Sequence, residues 1–391
     1  MINITKKQDC CGCGACAQAC AKNCITMEAD EEGFAYPSVD SSRCVECGLC
    51  EGVCPVLNRE QKKSGHPVSA YAAYANDAQL RQASSSGGIF SLLAQEILSE
   101  GGVVFGAAFD DRFSVHHVMV ENAEELERLR GSKYVQSRIG NTYRQAKELL
   151  DAGRPVLFSG VACQIAGLKF FLRKDYENFY TVNVLCFGAP SPKVWQYYKS
   201  AREQEYCAPL KKVSFRDKCT GWKTYSIDFS FENGKKYRSR SSDEPYMKWF
   251  IGEICLRPSC SNCKFRESPY PADITLGDAW GIGSYMPQMD DDRGTSVVLV
   301  NTEKGERLWE QLYPRMTVSR GDPERLLAPN GAARKSVRPH PKRKQFFAAI
   351  DRGASAEALT RLTRKSPLRR GLSFGKRCVK FICRKIRIKM V

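Results

Sequence analysis

From residue 68 onward, short apolar runs alternate with stretches of helical period. Residues 68–74 read as a strand, 88–98 as an apolar helix and 103–109 as a buried strand. Another strand covers 115–120, and 145–150 fall within a helix. Residues 155–159 form a strand that breaks at Gly160 into a helix from about 164 to 172, and 180–185 form the next strand. From about 205 the pattern turns β-rich, with strands at 212–216 and 225–231. A cysteine-containing loop at 255–263, strands at 273–276 and 297–300 and a helix at 304–312 follow. This alternation predicts a mixed α/β body.

Ahead of residue 68 the signal is cysteine. Ten of the chain's nineteen cysteines lie between Cys10 and Cys54. Eight of them repeat one spacing, Cys10-x2-Cys13-x2-Cys16-x3-Cys20 and Cys44-x2-Cys47-x2-Cys50-x3-Cys54, with Pro55 next. This is the bacterial two-cluster ferredoxin pattern, in which three close thiolates and a distant fourth hold each 4Fe–4S cubane. It predicts one cluster on Cys10, Cys13, Cys16 and Cys54, and a second on Cys44, Cys47, Cys50 and Cys20. The turn Cys13-Gly14-Ala15-Cys16 is tight enough to deliver thiolates to adjacent iron corners. Cys11 and Cys24 fall outside the spacing, and Cys24 is a substitute ligand should Cys20 be lost.

Composition limits the partners. The chain has 391 residues, 42% of them apolar, enough for two or three domains. No apolar run approaches eighteen residues and nothing before Asp9 reads as a signal peptide, so the expected compartment is a reducing cytoplasm. Residues 331–391 carry nineteen Lys and Arg against Asp351 and Glu357, which accounts for the whole net charge of +17. Nucleic-acid binding is excluded, because the body is balanced and offers no motif. Within 366–391, Val379, Ile382, Cys383, Ile386 and Met390 follow helical spacing among basic residues. Such a helix fits peripheral contact with an anionic membrane at the inner face, or docking to a partner.

A second cysteine set lies in the body. Strands joined by a helical crossover run parallel, so Cys163 and Cys186, each just after a strand, emerge at one rim of the sheet. Cys163 also stands at a helix N-terminus, where the dipole favours a thiolate. Cys260-Ser261-Asn262-Cys263 adds a CxxC pair, and the four thiols suffice for a third cubane, with Cys255 in reserve. The alternative is two buried apolar thiols and a zinc half-site. Cys207, Cys219, Cys378 and Cys383 have no partner spacing and read as structural.

Between Ser84 and Ile282 the chain resembles the family of coenzyme F420 hydrogenase/dehydrogenase beta subunits. The likeness rests on Ser84-Ser85-Ser86-Gly87-Gly88, Arg130-Gly131-Ser132-Lys133-Tyr134-Val135-Gln136-Ser137, Ser159-Gly160-Val161-Ala162-Cys163-Gln164, Gly188-Ala189-Pro190-Ser191-Pro192 and Ala272-Asp273-Ile274-Thr275-Leu276-Gly277-Asp278. Ala21, Val161-Ala162 and Phe187 depart from the usual pattern. The resemblance implies an FAD in the α/β body and a cluster beside it on Cys163, Cys186, Cys260 and Cys263. It points to Ser85, Ser86, Gly87, Gly88, Ser132, Lys133, Tyr134, Gln136, Ser159 and Gly160 as flavin contacts. Ser84–Gly88 before a helix fits a pyrophosphate cradle and equally a plain N-cap. Lys133 offers a cation for phosphate, and Tyr134 a ring for stacking.

The implied architecture is a ferredoxin-like domain at 1–58, a linker at 59–67, a flavin-binding body divided into 68–204 and a β-rich 205–330, and a basic helical tail at 331–391. The implied function is an iron–sulfur flavoprotein oxidoreductase that links a protein electron donor, such as ferredoxin or a hydrogenase/dehydrogenase subunit, to a small-molecule redox substrate. The alternatives are a non-catalytic electron-transfer subunit and an accessory protein in surface polysaccharide synthesis. No His lies in a site motif, so acid–base catalysis by His is not expected. The segment 215–223 reads as a hairpin rim with a partly buried Trp222, the alternative being part of a substrate pocket, and Asp290-Asp291-Asp292 as a solvated turn.

Overall fold

The computed structural model describes residues 1–58, 68–266 and 270–363. The expected linker and the helix expected within 366–391 lie outside the described residues. At the N-terminus, strands Ile25–Ala29 and Ala35–Val39 pair antiparallel between the two cysteine loops. Each loop closes on a short helix, Ala15–Ala19 or Leu49–Gly52. Gly14 (φ +73°) and Gly48 (φ +72°) precede these helices in the left-handed region that favours glycine, so the two repeats share one backbone solution.

The body is built on one mixed eight-stranded sheet. Its order is Met316–Gly321, Ser69–Ala75, Ser296–Val300, Ile274–Asp278, Phe179–Val184, Val156–Val161, Val103–Phe109 and Val115–Val120. The four strands from Ile274–Asp278 to Val103–Phe109 are parallel, and all other pairings are antiparallel. Both faces are covered. Val104, Leu157, Val182 and Ile274 pack under helices Ile89–Ser99 and Glu303–Glu310, while Val103, Phe105, Val156 and Phe158 face helices Thr142–Asp151 and Ala162–Leu172. That explains apolar strands such as Ser296–Val300, which is buried at every position.

The strands of 205–330 divide between two sheets. Only Leu210–Asp217, Ser226–Phe231 and Lys236–Arg240 form a sheet of their own, whereas the three later strands return to the main sheet. This small antiparallel sheet shares an aromatic core with helices Pro192–Tyr206 and Pro245–Ile251. Residues 331–363 differ from the expected tail. Helices Arg343–Asp351 and Ala356–Thr363 bury Phe346, Phe347, Ile350 and Leu359 in that core, and Trp249 Nε1 donates to Thr360 Oγ1 at 2.9 Å. Their apolar positions recur at helical spacing beneath the basic residues. Among the described residues no helix is long and apolar enough to cross a membrane.

Candidate functional site

A cavity of about 880 Å³ opens at the carboxyl ends of the parallel strands, where open α/β sheets hold ligands. Parallel pairing of Val156–Val161 with Phe179–Val184 brings Cys163 and Cys186 to this rim. The loop carrying Cys260 and Cys263 closes over them, so all four thiols line the cavity. Cys260 Sγ accepts a bond from the Ala189 amide at 3.3 Å. Contact with Cys11, burial and the nearby Cys263 and Cys186 push the Cys163 thiol well above its ordinary range. Burial, then Cys260, push Cys186 up to about 12. Thiols crowded in this way ionise together only around a strong positive charge, which iron supplies. Among the described residues no three His, Cys, Asp or Glu side chains stand close enough for a single ion. What the structure offers a metal centre here is four thiols from three segments at one rim. Cys255 is not part of it, being fully buried in the aromatic core.

The ferredoxin module docks against this cavity by its first cysteine loop. Cys16 has Cys10 and Cys54 as charge neighbours, and Cys13 has Cys16. Cys20 and Cys24 thiols are 3.3 Å apart, with Cys44 beside Cys24. Helix Ala162–Leu172 packs against the first loop at Gly167, where a Cβ would lie 2.8 Å from Cys13 Cβ. Cys11, outside the spacing, touches both Cys13 and Cys163 and lines the cavity. The Gln136 amide donates to Cys11 O at 3.2 Å, and Arg257 donates to Cys10 O at 2.8 Å. On the other flank Arg144 donates to Gln18 O at 2.7 Å, and Arg343 grips Glu32.

Ser85, Ser86, Gly88, Ser132, Lys133, Tyr134, Gln136, Ser159 and Gly160 also line the cavity. Ser85 Oγ accepts from the Ser132 amide at 2.7 Å, which ties the two candidate loops together. Helix Ile89–Ser99 begins at Gly88 (φ +88°) with no side-chain cap, so its first amides and dipole face the cavity. That arrangement fits a pyrophosphate. Two candidates behave otherwise. Gly87 does not line the cavity; its amide binds Ser296 Oγ, and a Cβ there would lie 2.4 Å from Ala73 O. Lys133 spends its three N–H donors on the carbonyls of Arg128, Arg130 and Gly131, which leaves none for a phosphate. The Tyr134 ring packs 4.9 Å from that of Phe250.

Comparison with known proteins agrees with this geometry. Residues 70–142 match the N-terminal family model, and residues 153–324 the C-terminal one, of the coenzyme F420 hydrogenase/dehydrogenase beta subunits. Residues 9–58 match the 4Fe-4S dicluster domain. The chain belongs to the family of coenzyme F420 hydrogenase/dehydrogenase beta subunits. It is 21% identical to an F(420)H(2) dehydrogenase subunit of Methanosarcina mazei over 335 residues, 81% of this chain and 86% of that protein. A chain of the F420-reducing [NiFe] hydrogenase complex from Methanosarcina barkeri aligns with a TM-score of 0.44 at 17% identity, covering 73% of this chain and 88% of that one. This family member is thus an iron–sulfur electron-transfer oxidoreductase.

In this beta subunit the cavity wall and its support also include polar residues outside the ten flavin candidates. Arg216, 6% exposed, pairs with both carboxylate oxygens of Asp278 at 2.9 and 3.0 Å and donates to Ser85 O. Lys218 donates to the carbonyls of Arg81, Ser86 and Arg293; burial, then Arg81 and Arg216, hold its ammonium down to about 7. Of the 215–223 segment Arg216 alone lines the cavity, and Trp222 is fully buried behind it, stacked 4.8 Å from Trp280. Asp291 lies exposed in its turn, as expected, and pairs there with buried Arg81. His117 lies in the wall as well. Its Nε2 donates to Ser159 O at 3.0 Å, so Nδ1 accepts from Ser137 Oγ at 2.7 Å, and burial lowers its pKa to about 4. A neutral ring, its one proton held on Nε2 and both nitrogens engaged, positions the Ser159 turn and takes up no second proton near neutral pH.

Proposed function

We propose that this chain is an iron–sulfur flavoprotein oxidoreductase. Single electrons pass between a protein donor and the cavity through the two ferredoxin clusters and a third 4Fe–4S cluster on Cys163, Cys186, Cys260 and Cys263. The observation that carries this reading is a single cavity lined by four thiols and by nine of the ten flavin candidates, with Cys11 of the ferredoxin loop in its wall. A bound FAD accepts electrons singly and exchanges two with an organic acceptor as a hydride. The amides at the start of helix Ile89–Ser99 and the Ser84–Ser86 turn hold its pyrophosphate, and Arg216 and Lys218 fix that turn from behind. Kinship to a component of an F(420)H(2) dehydrogenase supports a protein redox partner and makes coenzyme F420 the first acceptor to try.

The test is iron, acid-labile sulfide and flavin content after purification without oxygen. The reading expects about twelve irons, four per cubane, and one FAD. About eight irons without flavin would leave an electron carrier in its place.

A further inference from the structure

Arg257 is a buried cation without a carboxylate. Its side chain is 2% exposed, and no Asp or Glu among the described residues pairs with it. Its donors go instead to Cys10 O at 2.8 Å, Gln136 Oε1 at 3.1 Å, Ala35 O at 2.9 Å and Cys10 Sγ at 3.5 Å. The guanidinium lies over the rings of Tyr36 and Phe34 at 4.3 and 5.5 Å. The chain makes room for it, because a Cβ at Gly12 (φ +72°) would lie 2.8 Å from Arg257 Nη1. A guanidinium buried with neutral partners alone is costly, so an anion belongs beside it. The nearest such group is the Cys10 thiolate and whatever it binds.

We infer that Arg257 is the built-in counter-charge of the ferredoxin cluster ligated by Cys10, and that it raises this cluster's reduction potential above that of its neighbour. Reduction adds one electron and breaks no bond; a fixed positive charge and an N–H···S contact favour the more negative state. The second cluster has a weaker counterpart: the half-buried Arg144 reaches the Cys20 carbonyl at 3.4 Å, shares its other donors with Gln18 O and Asn23 Oδ1, and has no bond to a thiol among those described. The cation near Cys50 and Cys44 is the exposed N-terminal ammonium of Met1, which pairs with Glu51 at 3.4 Å and is screened by water. Arg257 also begins the loop of the second thiol set, for its carbonyl accepts from the Cys260 amide. The charge therefore draws electrons from the outer cluster, where Cys47 is exposed, to the inner one that faces the cavity. This inference rests on Cys10 as a cluster ligand and stands whether or not a flavin is bound.

Potentiometric EPR titration of the anaerobically purified full chain tests it, with Arg257→Gln beside Arg257→Lys and iron content as the loading control. At wild-type iron content, Arg257→Gln should lower the midpoint of one ferredoxin cluster by about 59 mV or more, tenfold in a one-electron equilibrium constant, and leave the other unmoved. Arg257→Lys should retain most of the potential. Unchanged midpoints in Arg257→Gln would overturn the inference. Should that variant fail to load iron, wild-type protein carrying guanidino-15N arginine decides. A 15N coupling to a reduced cluster, lost in Arg257→Lys, supports the assignment, and its absence from wild type refutes it.

Discussion

Alanine at Gly167 sets two effects of opposite sign against each other. Gly167 lies within helix Ala162–Leu172, where Ala is favoured over Gly by about 1 kcal/mol in an open setting. The structure closes that setting. The added methyl would sit 2.8 Å from Cys13 Cβ, 2.9 Å from Cys13 Sγ and 3.1 Å from the Tyr143 hydroxyl. Ordinary contact begins near 3.4 Å, so something must move by roughly 0.6 Å, and Cys13 is a proposed cluster ligand. Overpacking of this kind costs about 1–3 kcal/mol, which outweighs the helical gain. The expected variant is less stable than wild type by up to about 2 kcal/mol, with a disturbed EPR signal from one ferredoxin cluster. The assay is the temperature at which visible iron–sulfur absorbance is lost, together with EPR of the reduced protein. Gly52→Ala is the control, since a Cβ there meets nothing within 4 Å. A Gly167→Ala protein with unaltered EPR and a raised melting temperature would refute the docking of the first cysteine loop on this helix.

Cys163→Ala should remove about four of twelve irons and keep both ferredoxin EPR signals, and full iron content would dismiss the third cluster. Arg216→Met removes the buried partner of Asp278, which stays half-buried and keeps the Trp222 Nε1 bond, and should cost about 1–3 kcal/mol, read as a lower urea midpoint; an unchanged midpoint would contradict the pairing. His117 is held down to about 4, so the folded state resists a proton that the unfolded state binds below about 6.5. Its contribution is complete above about pH 6.5 and is lost as pH falls toward 4. Between pH 7.5 and 5.5 wild type should lose about 1 kcal/mol that His117→Gln does not, and equal losses in the two proteins would reject this account.

The parallel core was legible because its strands are continuous apolar runs. Residues 103–109 and 115–120 appear with the expected bounds, and helix Ala162–Leu172 starts two residues before the anticipated Gln164. Cysteine spacing carried the ferredoxin module for the same reason, since its ligands lie close in sequence. Helix Pro192–Tyr206 escaped notice because only Val194, Trp195 and Tyr198 are buried on it, although Ser191 followed by Pro192 is a helix-start signal. Helix Arg343–Asp351 was hidden by surrounding charge that masked Phe346, Phe347 and Ile350. The cavity's polar wall could not be read locally. Arg216, Asp278 and His117 come from three strands of two different sheets, and only tertiary packing brings them together. Lys133 shows the opposite error, a cation whose backbone turned its ammonium inward.

The grip of Arg343 on Glu32 joins residues 311 positions apart. At about 5–20 residues per second, a ribosome needs roughly 15–60 s to make the intervening chain. For that interval the first cysteine loop has emerged while the segments that will enclose it are still unmade. Iron insertion into the N-terminal module thus has a natural opening during synthesis, and arrival of the C-terminal helices brings it to an end.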